Sequence, residues 1–389
     1  MTPPFRRRVL YLPGFDPIPP RRYRELYRRE GAAQARISGY DLSIRRVPQT
    51  ERYGWNVVMD GGSSEAEIRI LLWSDIVQAS MKAGILGTYG QLFRTAWTYV
   101  ATGALWRLTK LRRGPVIAAL YPIVILLLQL LLALLVGGLA AWALRGMPWL
   151  AVPVGLALAW AVLVLGRRLD HKIFAYYLMH DYAFTAAHRG AYPAALEARL
   201  VEFRRELQDA LTQDLDEVLV VGHSSGAYLA VSLIADLIRA GQPKGPDLSL
   251  LTLGHVVPMA AFLPEAKRLR ADLALVSEAP NLFWLDVTAP GDACCFALCD
   301  PVATCGAAGA AQRWPLVVSA AYTQTLSPEK QREIRNRWFR LHFQYLCAFD
   351  RPGDYDYFAI TAGPLTLAQR FVGRKHSPAR ITRPAGARP

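Results

Sequence analysis

Short apolar runs alternate with amphipathic stretches along most of the chain, and this pattern predicts an α/β fold. The apolar runs fall at residues 8–12, 68–73, 218–221, 248–253, 281–287 and 315–321. Apolar positions at helical spacing follow at residues 192–211 and 227–240. Strands that are apolar throughout and alternate with helices are typical of a mostly parallel sheet with helices on both faces. Residues 35–46 and 55–60 alternate more regularly and predict an added β-hairpin.

Two longer apolar segments interrupt this pattern. Residues 115–144 and 147–166 contain no charged side chain, and only Arg145 and Gly146 separate them. Each segment is long enough to cross the hydrocarbon core of a bilayer. A pair of buried helices in a large soluble core is the alternative, but the run VILLLQLLLALL has no polar face to turn toward water. We therefore predict a transmembrane helical hairpin, in which Gln129 supports helix pairing.

Basic residues lie outside the two segments, and this distribution predicts their orientation. The connection carries only Arg145, whereas the outer flanks carry Lys110, Arg112, Arg113, Arg167, Arg168 and Lys172. Cationic flanks stay in the cytoplasm, so both termini and the soluble part are expected there. The apolar stretch at residues 9–13 is too short for a secretory signal. We expect a two-span membrane protein, in a bacterial inner membrane in preference to an organelle membrane.

The position of the hairpin predicts one domain that is interrupted by an insertion. Residues 1–75 and 191–365 are expected to form the two parts of the α/β domain, and residues 76–190 the insertion. The last segment, residues 366–389, is rich in Pro, Arg and Ala and predicts a disordered basic tail.

The chain is basic, with 45 Lys and Arg against 31 Asp and Glu and a net charge of +14. The excess lies toward the two termini. Beside membrane spans such clusters are expected to face anionic lipid headgroups. Nucleic acid is excluded as a partner because no recognition motif accompanies the charge.

The motif GHSSG at residues 222–226 is the strongest chemical signal in the chain. It lies between the apolar run at residues 218–221 and the helical stretch at residues 227–240, the setting of a nucleophile elbow. Such a turn brings strand and helix so close that only glycine fits at Gly222 and Gly226. A turn that merely caps a helix is the alternative. We predict Ser224 as a nucleophile.

Together with the PGFDP loop after the first strand, this elbow resembles the α/β-hydrolase superfamily from its third strand onward. The resemblance covers about residues 8–75 and 190–360, and it implies a membrane-anchored serine lipase or esterase. It also implies an oxyanion hole formed by the backbone NH groups of Phe15 and Ser225. Pro13 stands where the family's HGF-like loop has histidine, and a plain turn between strand and helix is the alternative for this loop.

The resemblance implies a catalytic triad in the order serine, acid, histidine. Asp292 is preferred as the acid because it lies just past a strand end, with Asp286 second and Asp300 third. Asp292 could instead cap the turn that follows it. Only His342 and His376 come after the acid, and His376 lies in the basic tail, so His342 is the expected base. The segment 322–345 looks helical, and a structural histidine is the alternative reading of His342.

Four cysteines cluster at Cys294, Cys295, Cys299 and Cys305. They lack the paired CxxC spacing of zinc sites, and no histidine lies among them. Apolar packing or a surface loop is favoured over metal binding, and we expect neither metal nor cofactor.

The expected function is hydrolysis of an ester, of a lipid or another amphiphilic acyl substrate, at the membrane surface. A catalytically inactive membrane scaffold or assembly protein is the alternative, and it predicts an acid and a His342 that lie far from Ser224. A transporter is disfavoured because the spans carry no charge. The chain leaves the oligomeric state open.

Overall fold

The computed structural model describes residues 3–46 and 53–386, and it has an α/β fold with one eight-stranded sheet. The strands are β1 (Phe5–Leu12), β2 (Leu42–Arg46), β3 (Gly54–Met59), β4 (Ser64–Ile70), β5 (Glu217–His223), β6 (Asp247–Leu253), β7 (Phe283–Thr288) and β8 (Leu316–Ser319). Their order across the sheet is β2-β3-β4-β1-β5-β6-β7-β8. All neighbours from β4 to β8 are parallel, and β2 and β3 form an antiparallel hairpin at one edge. The predicted mostly parallel sheet is confirmed.

Alternate residues of the central strands belong to two separate apolar cores, one on each face of the sheet. Leu10 and Val220 lie in the first core, whereas Tyr11 and Leu219 lie in the second. The first core is closed by α9 (Ala194–Leu211), α10 (Ser225–Ala240) and α12 (Lys267–Glu278), and the second by α1 (Arg21–Ser38), α16 (Tyr357–Ala362) and α17 (Leu367–Arg370). Burial of these apolar side chains on both faces is the main stabilising contribution, and the expected cover of helices is confirmed.

Between β4 and β5 the chain forms a series of helices. They are α2 (Ser74–Ser80), α3 (Ile85–Ala101), α4 (Ala104–Thr109), α5 (Arg113–Ala143), α6 (Pro148–Arg168), α7 (Asp170–Ile173) and α8 (Ala175–Ala187). Helices α5 and α6, of 31 and 21 residues, contain the two predicted spans and are long and apolar enough to cross a membrane. Only 17% of the most apolar window of each is buried. A core helix of a soluble protein would instead be mostly covered.

Helices α5 and α6 pack closely on each other through small residues. A Cβ atom added to Gly137 would lie 2.6 Å from the carbonyl oxygen of Gly155. Such small residues let two helix backbones approach in an apolar environment. The side chain of Gln129 on α5 donates a hydrogen bond of 2.9 Å to the carbonyl of Leu163 on α6. Gln129 therefore contacts the partner helix, as its position in the sequence predicted.

The insertion is attached to loops that follow β6 and β7. The Tyr99 hydroxyl on α3 donates to the carbonyl of Met259 at 2.9 Å, and Arg112 donates to the carbonyl of Ala297 at 2.9 Å. The first of these loops contains the short helix α11 (Val257–Ala261). Parallel strands end at one common edge of the sheet. The beginning of α5 therefore lies beside the carboxyl ends of the strands.

The C-terminal segment is ordered, which corrects the expectation of a disordered tail at residues 366–389. Residues 366–386 begin with a capping box at Thr366 and α17, and residues 387–389 lie outside the described part of the chain. Contacts with the domain join Leu367 to Glu217, Ser377 to Val317, Arg380 to Asp300, and Ile381 to Cys299. The composition suggested disorder. It does not reveal that the buried carboxylates of Glu217 and Asp300 and the backbone of Val317 accept hydrogen bonds from this segment.

Two of the N-terminal arginines are internal. Arg7 is 1% exposed and pairs with the buried carboxylate of Glu217 at 2.5 Å, while Arg8 pairs with Glu67. Both lie toward the beginning of β1, at the opposite end of the sheet from the loops that carry the insertion. The expectation that the basic termini face lipid headgroups therefore does not extend to Arg7 and Arg8.

Candidate active site

Ser224 occupies a strained turn between β5 and α10. Its backbone angles are φ 58° and ψ −121°, a combination that residues with a side chain rarely adopt. The turn is held because the Ser224 NH donates to the carbonyl of Leu253 and the Ala227 NH donates to the carbonyl of Ser224, at 2.9 and 3.1 Å. Strain of this kind persists only where the surroundings enforce it. The hydroxyl is thereby placed at the N-terminal end of α10.

The glycines around Ser224 are required sterically, as the motif predicted. A Cβ atom on Gly222 would lie 2.5 Å from the carbonyl oxygen of Gly226, and one on Gly226 would lie 2.6 Å from that of Pro13. A Cβ atom on Gly14 would lie 2.9 Å from the Cβ of Ser224. The loop after β1 therefore touches the turn that carries Ser224, because β1 and β5 are neighbours in the sheet.

The predicted acid and base are hydrogen-bonded to each other. His342 Nδ1 and Asp292 Oδ2 are 2.7 Å apart, and both side chains are buried. Asp292 Oδ2 also accepts a hydrogen bond of 3.1 Å from the Tyr345 hydroxyl, and Oδ1 accepts one of 2.9 Å from the Cys294 NH. A carboxylate on Nδ1 fixes the ring orientation and leaves Nε2 free for proton transfer.

The pKa of Asp292 is lowered, although burial alone would raise it. The attraction of His342 and its hydrogen bond, with the hydrogen bond from the Cys294 NH, more than offset the loss of solvent around the carboxylate. Asp292 is therefore ionised at neutral pH and can stabilise a positive charge on His342.

Ser224 and His342 line the same cleft, whose empty space including its opening to solvent is about 940 Å³. Between these two described side chains there is no hydrogen bond. Catalytic hydrogen bonds are often long in an enzyme without substrate and tighten when the substrate binds. The serine, the histidine and the histidine's carboxylate partner thus meet at one site.

The other candidate acids and bases lie elsewhere. Asp286 is inside β7 and accepts a hydrogen bond of 2.6 Å from Thr252. The carboxylate of Asp300 accepts hydrogen bonds from the NH groups of Val302 and Ala303 and forms an ion pair with Arg380. His376 accepts the NH of Val317 on the edge strand β8. Of the three acids considered from the sequence, Asp292 is the one hydrogen-bonded to His342, in agreement with its position just past a strand end.

Phe15 and Ser225, the two residues predicted to supply oxyanion NH groups, line the same cleft as Ser224. Ser225 is the first residue of α10, and its NH is one of the helix N-terminal groups without an intrahelical acceptor. The Phe15 NH has no acceptor among the described residues.

The loop around Phe15 is fixed by hydrogen bonds from Trp73 to the carbonyl of Pro13, from Tyr177 to the carbonyl of Phe15, and from Tyr23 to the carboxylate of Asp16. One of these donors, Tyr177, belongs to α8 of the insertion.

The ring of His223, the residue before Ser224, lies against the expected base. Its ring is 4.8 Å from that of His342, and its Nε2 is 2.9 Å from the carbonyl oxygen of His342. Burial, together with the charge of His342, lowers the pKa of His223 to about 3, so the neutral ring donates this hydrogen bond. His223 therefore fixes the backbone of the base.

The segment 322–345 is a series of short helices and not one helix. They are α13 (Tyr322–Thr325), α14 (Pro328–Ile334) and α15 (Trp338–His342), with a 3₁₀ turn at Gln344–Leu346. His342 is the last residue of α15, so its ring projects from a helix end toward the cleft.

The insertion supplies one wall of the cleft, and the sequence interpretation did not assign these residues to the site. Pro115 and Ala118 come from the start of α5, and Tyr177, Asp181 and Tyr182 come from α8. Burial raises the pKa of Asp181 to about 7, partly opposed by the attraction of His342. The only sequence signal was a run of aromatic residues around an acid shortly after the second span, AYYLMHDYAF.

Three side chains at the site are close enough to hold a metal ion. Atoms of Asp292, Cys294 and His342 lie within 4.8 Å of one another. Metal binding needs a thiolate, but burial raises the pKa of the Cys294 thiol, and the charge of Asp292 adds to this effect. His342 Nδ1 is already bonded to the carboxylate. The arrangement suits a hydrogen-bonded acid–base pair better than a metal centre.

The chain combines an α/β fold with a cleft that contains a serine in a strained turn and a hydrogen-bonded histidine–carboxylate pair. In comparisons with known protein families, with curated proteins and with solved structures, no match to this chain is found.

Proposed function

We propose that the protein is a membrane-bound serine hydrolase of the α/β-hydrolase kind, which cleaves the ester of a lipid or another amphiphilic acyl substrate. One observation carries the proposal. A serine in a strained strand-to-helix turn lines the same cleft as a histidine whose Nδ1 is hydrogen-bonded to a buried carboxylate. This combination is the chemical requirement for an activated serine nucleophile.

In the proposed reaction, Ser224 Oγ attacks the ester carbonyl while Nε2 of His342 takes its proton. Asp292 stabilises the resulting imidazolium, and the NH groups of Phe15 and Ser225 stabilise the oxyanion. The imidazolium then protonates the leaving alcohol as the acyl-enzyme forms. Water attacks the acyl-enzyme with His342 again as base, which releases the carboxylic acid and restores the serine. The mechanism requires no cofactor.

The membrane location is supported by the surface of the insertion. Besides the two apolar helices, α3 and α4 expose large apolar side chains: Leu86, Phe93, Trp97 and Trp106. Exposed tryptophan beside apolar helices is typical of the membrane–water interface. The basic flanks of α5 and α6 favour a cytoplasmic location of the α/β domain and both termini, in a membrane of the bacterial inner type.

An amphiphilic substrate is supported by where the cleft lies. Pro115 and Ala118, in the first two turns of α5, form part of its wall. A lipid that diffuses laterally toward the base of α5 would meet the cleft without crossing bulk water. We infer that the acyl chain enters from this side.

The inactive scaffold is the competing proposal, and it expects His342 and its acid to lie far from Ser224. The 2.7 Å contact between His342 and Asp292, and the cleft that His342 shares with Ser224, favour the hydrolase. A protein that no longer used Ser224 would also gain stability by relaxing its strained backbone.

The test is labelling of the detergent-solubilised protein with a fluorophosphonate, which reacts with activated serines. We expect stoichiometric labelling of the wild type and none of Ser224→Ala. The matched control is Ser43→Ala, which removes an exposed hydroxyl from edge strand β2 and should label like the wild type. A folded wild type that remains unlabelled would overturn the hydrolase and favour the scaffold.

A further inference from the structure

The cleft beside Ser224 is lined by carboxyl groups, whereas the chain as a whole is basic. The chain carries a net charge of +14. Among the described residues that line the cleft there is no lysine or arginine, but there are two carboxyl groups, Asp16 and Asp181. A cleft lined by one sign of charge concentrates ligands of the other sign and repels ligands of its own.

The two carboxyl groups differ in their hydrogen bonds. Asp16 accepts the hydroxyl of Tyr23 at 2.5 Å and the NH of Ile18 at 2.8 Å, so it serves to hold its own loop. The carboxyl group of Asp181 has no hydrogen-bond partner among the described residues. Its side chain faces the cleft from α8. Burial raises the pKa of Asp181 to about 7 against the attraction of His342. A buried carboxyl group that faces a cleft and has no hydrogen-bond partner among the described residues is a candidate for ligand binding.

Aromatic rings line the same cleft as Asp181. Tyr182 is its neighbour on α8, and Tyr177 lies one turn earlier on the same helix. The Tyr177 ring is 6.3 Å from that of Phe15 and 5.6 Å from that of Phe339. The faces of aromatic rings attract cations, most strongly where water is excluded.

We propose that this wall is a subsite for a positively charged group of the substrate, with the Asp181 carboxylate and the surrounding tyrosine rings as its ligands. The substrate class is then an ester that carries an ammonium group. The assignment of an ester rests on the proposed hydrolase, whereas the cation subsite rests on the cleft itself. The ammonium group belongs either to a membrane lipid or to a soluble ester.

The test compares esters that differ only in charge. The soluble pair is butyrylthiocholine and its neutral carbon isostere, S-(3,3-dimethylbutyl) thiobutyrate. The lipid pair, in nanodiscs, is 1,2-dioleoyl-3-trimethylammonium-propane and its neutral carbon isostere, 4,4-dimethylpentane-1,2-diyl dioleate. For each pair the ratio of kcat/KM for the cationic to the neutral ester is measured in the wild type, in Asp181→Asn and in Glu65→Gln. Glu65 is exposed near the start of β4, so its variant loses the same charge at the opposite end of the sheet.

We expect Asp181→Asn to lower this ratio by roughly 10- to 100-fold, and Glu65→Gln to leave it unchanged. An effect in the lipid pair alone identifies a membrane lipid as the source of the cation, and an effect in the soluble pair alone identifies a soluble ester. A ratio that is the same in Asp181→Asn and wild type for both pairs overturns the subsite.

A binding measurement keeps the subsite testable if no ester is cleaved. Phenyltrimethylammonium is titrated calorimetrically into Ser224→Ala with and without Asp181→Asn. Binding that weakens at least tenfold in the double variant supports the subsite, even where absent fluorophosphonate labelling has overturned the hydrolase. Equal affinity in the two proteins, or no binding to either, overturns the subsite independently of catalysis.

Discussion

Two buried histidine–aspartate pairs lie near the carboxyl ends of the strands, and they are built differently. In the first, His342 Nδ1 and Asp292 Oδ2 are 2.7 Å apart, and the histidine lines the cleft of Ser224. In the second, His255 Nε2 and Asp286 Oδ2 are 3.7 Å apart, and both residues are fully buried. His255 Nε2 is instead hydrogen-bonded to the carbonyl of Cys299 at 2.9 Å.

The difference follows from where each acid lies relative to β7. Asp286 is within the strand, so its carboxylate stays in the interior, where Oδ2 has no hydrogen-bond partner among the described residues. Asp292 lies past the strand end, and its carboxylate meets three donors. The pKa of Asp286 is raised to about 6 by burial, against the attraction of His255, whereas the pKa of Asp292 is lowered. Proximity of a histidine and an aspartate is thus not enough for acid–base chemistry, because the histidine must also be hydrogen-bonded to the carboxylate to be oriented for proton transfer.

The difference between the two histidine–aspartate pairs is tested most directly by neutralising each acid in turn. Asp292→Asn should lower the rate of fluorophosphonate labelling and of ester hydrolysis by roughly 10⁴-fold, because an amide favours the wrong tautomer of His342. Asp286→Asn should change either rate by less than about threefold, since Asp286 does not touch His342. The measurement is the second-order labelling rate, with thermal unfolding as the check that both variants are folded.

Equal losses in the two variants would show that the pairs are coupled, and a large loss in Asp286→Asn alone would make Asp286 the catalytic acid. Asp286 was the second choice from sequence. The second result would therefore overturn the assignment of Asp292, and the first would overturn the independence of the two pairs.

A smaller effect is expected from the hydroxyl groups that support the two acids. Tyr345 donates to Asp292 at 3.1 Å and accepts the NH of Ala289 at 2.9 Å, while Thr252 donates to Asp286 at 2.6 Å. Tyr345→Phe should lower kcat by about tenfold with little change in KM, because the hydrogen bond positions Asp292 without touching the substrate.

The matched change is Thr252→Val, which removes the corresponding donor from Asp286 and should leave kcat within about twofold. Steady-state kinetics on one ester, with unfolding curves for both variants, provides the measurement. A fall in kcat that follows lost stability in both variants alike would assign Tyr345 a purely structural role.

The sequence predicted the parts of the site that depend on local geometry. GHSSG between a strand and a helix identified Ser224 and its glycines, because the steric requirement of the turn is local. Asp292 was preferred to Asp286 for its position past the strand end, and the structure has Asp292 beside His342. The parallel sheet followed from the apolar runs, whose strands are buried on both faces.

The parts that were missed depend on contacts between distant segments. Asp181 reaches the cleft only because the insertion folds back onto the sheet, which no periodicity in α8 indicates. The tail is ordered because Asp300 and Glu217, far away in sequence, receive it. The edge hairpin begins at Leu42 and not at residue 35 because α1 continues to Ser38. Composition and local pattern contain no information about such partners.

The last test of the difference between the two pairs is the pH dependence of folding stability. Asp286 has a folded-state pKa of about 6 against an ordinary value of 3.8, so its ionisation costs stability as the pH rises from about 4 to 6. Asp286→Asn removes this cost, although His255, Asp300 and Cys299 still face the position. Relative to wild type, the variant should gain on the order of 3 kcal/mol above pH 6, and the gain should vanish below about pH 4.

Asp292 should show the opposite sign, because a lowered folded-state pKa stabilises the protein above the ordinary pKa and this contribution is lost on acidification. Asp292→Asn should therefore cost stability at neutral pH, and the cost should shrink as the pH falls below about 4. Chemical unfolding in detergent from pH 3 to pH 8 measures both variants against wild type. If both variants lose stability in parallel at high pH, Asp286 is an ionised partner of His255, and the contrast between an isolated and a hydrogen-bonded pair disappears. If the signs are opposite, ionisation of the acid destabilises one histidine–aspartate pair and stabilises the other, so the two pairs differ in electrostatics as well as in geometry.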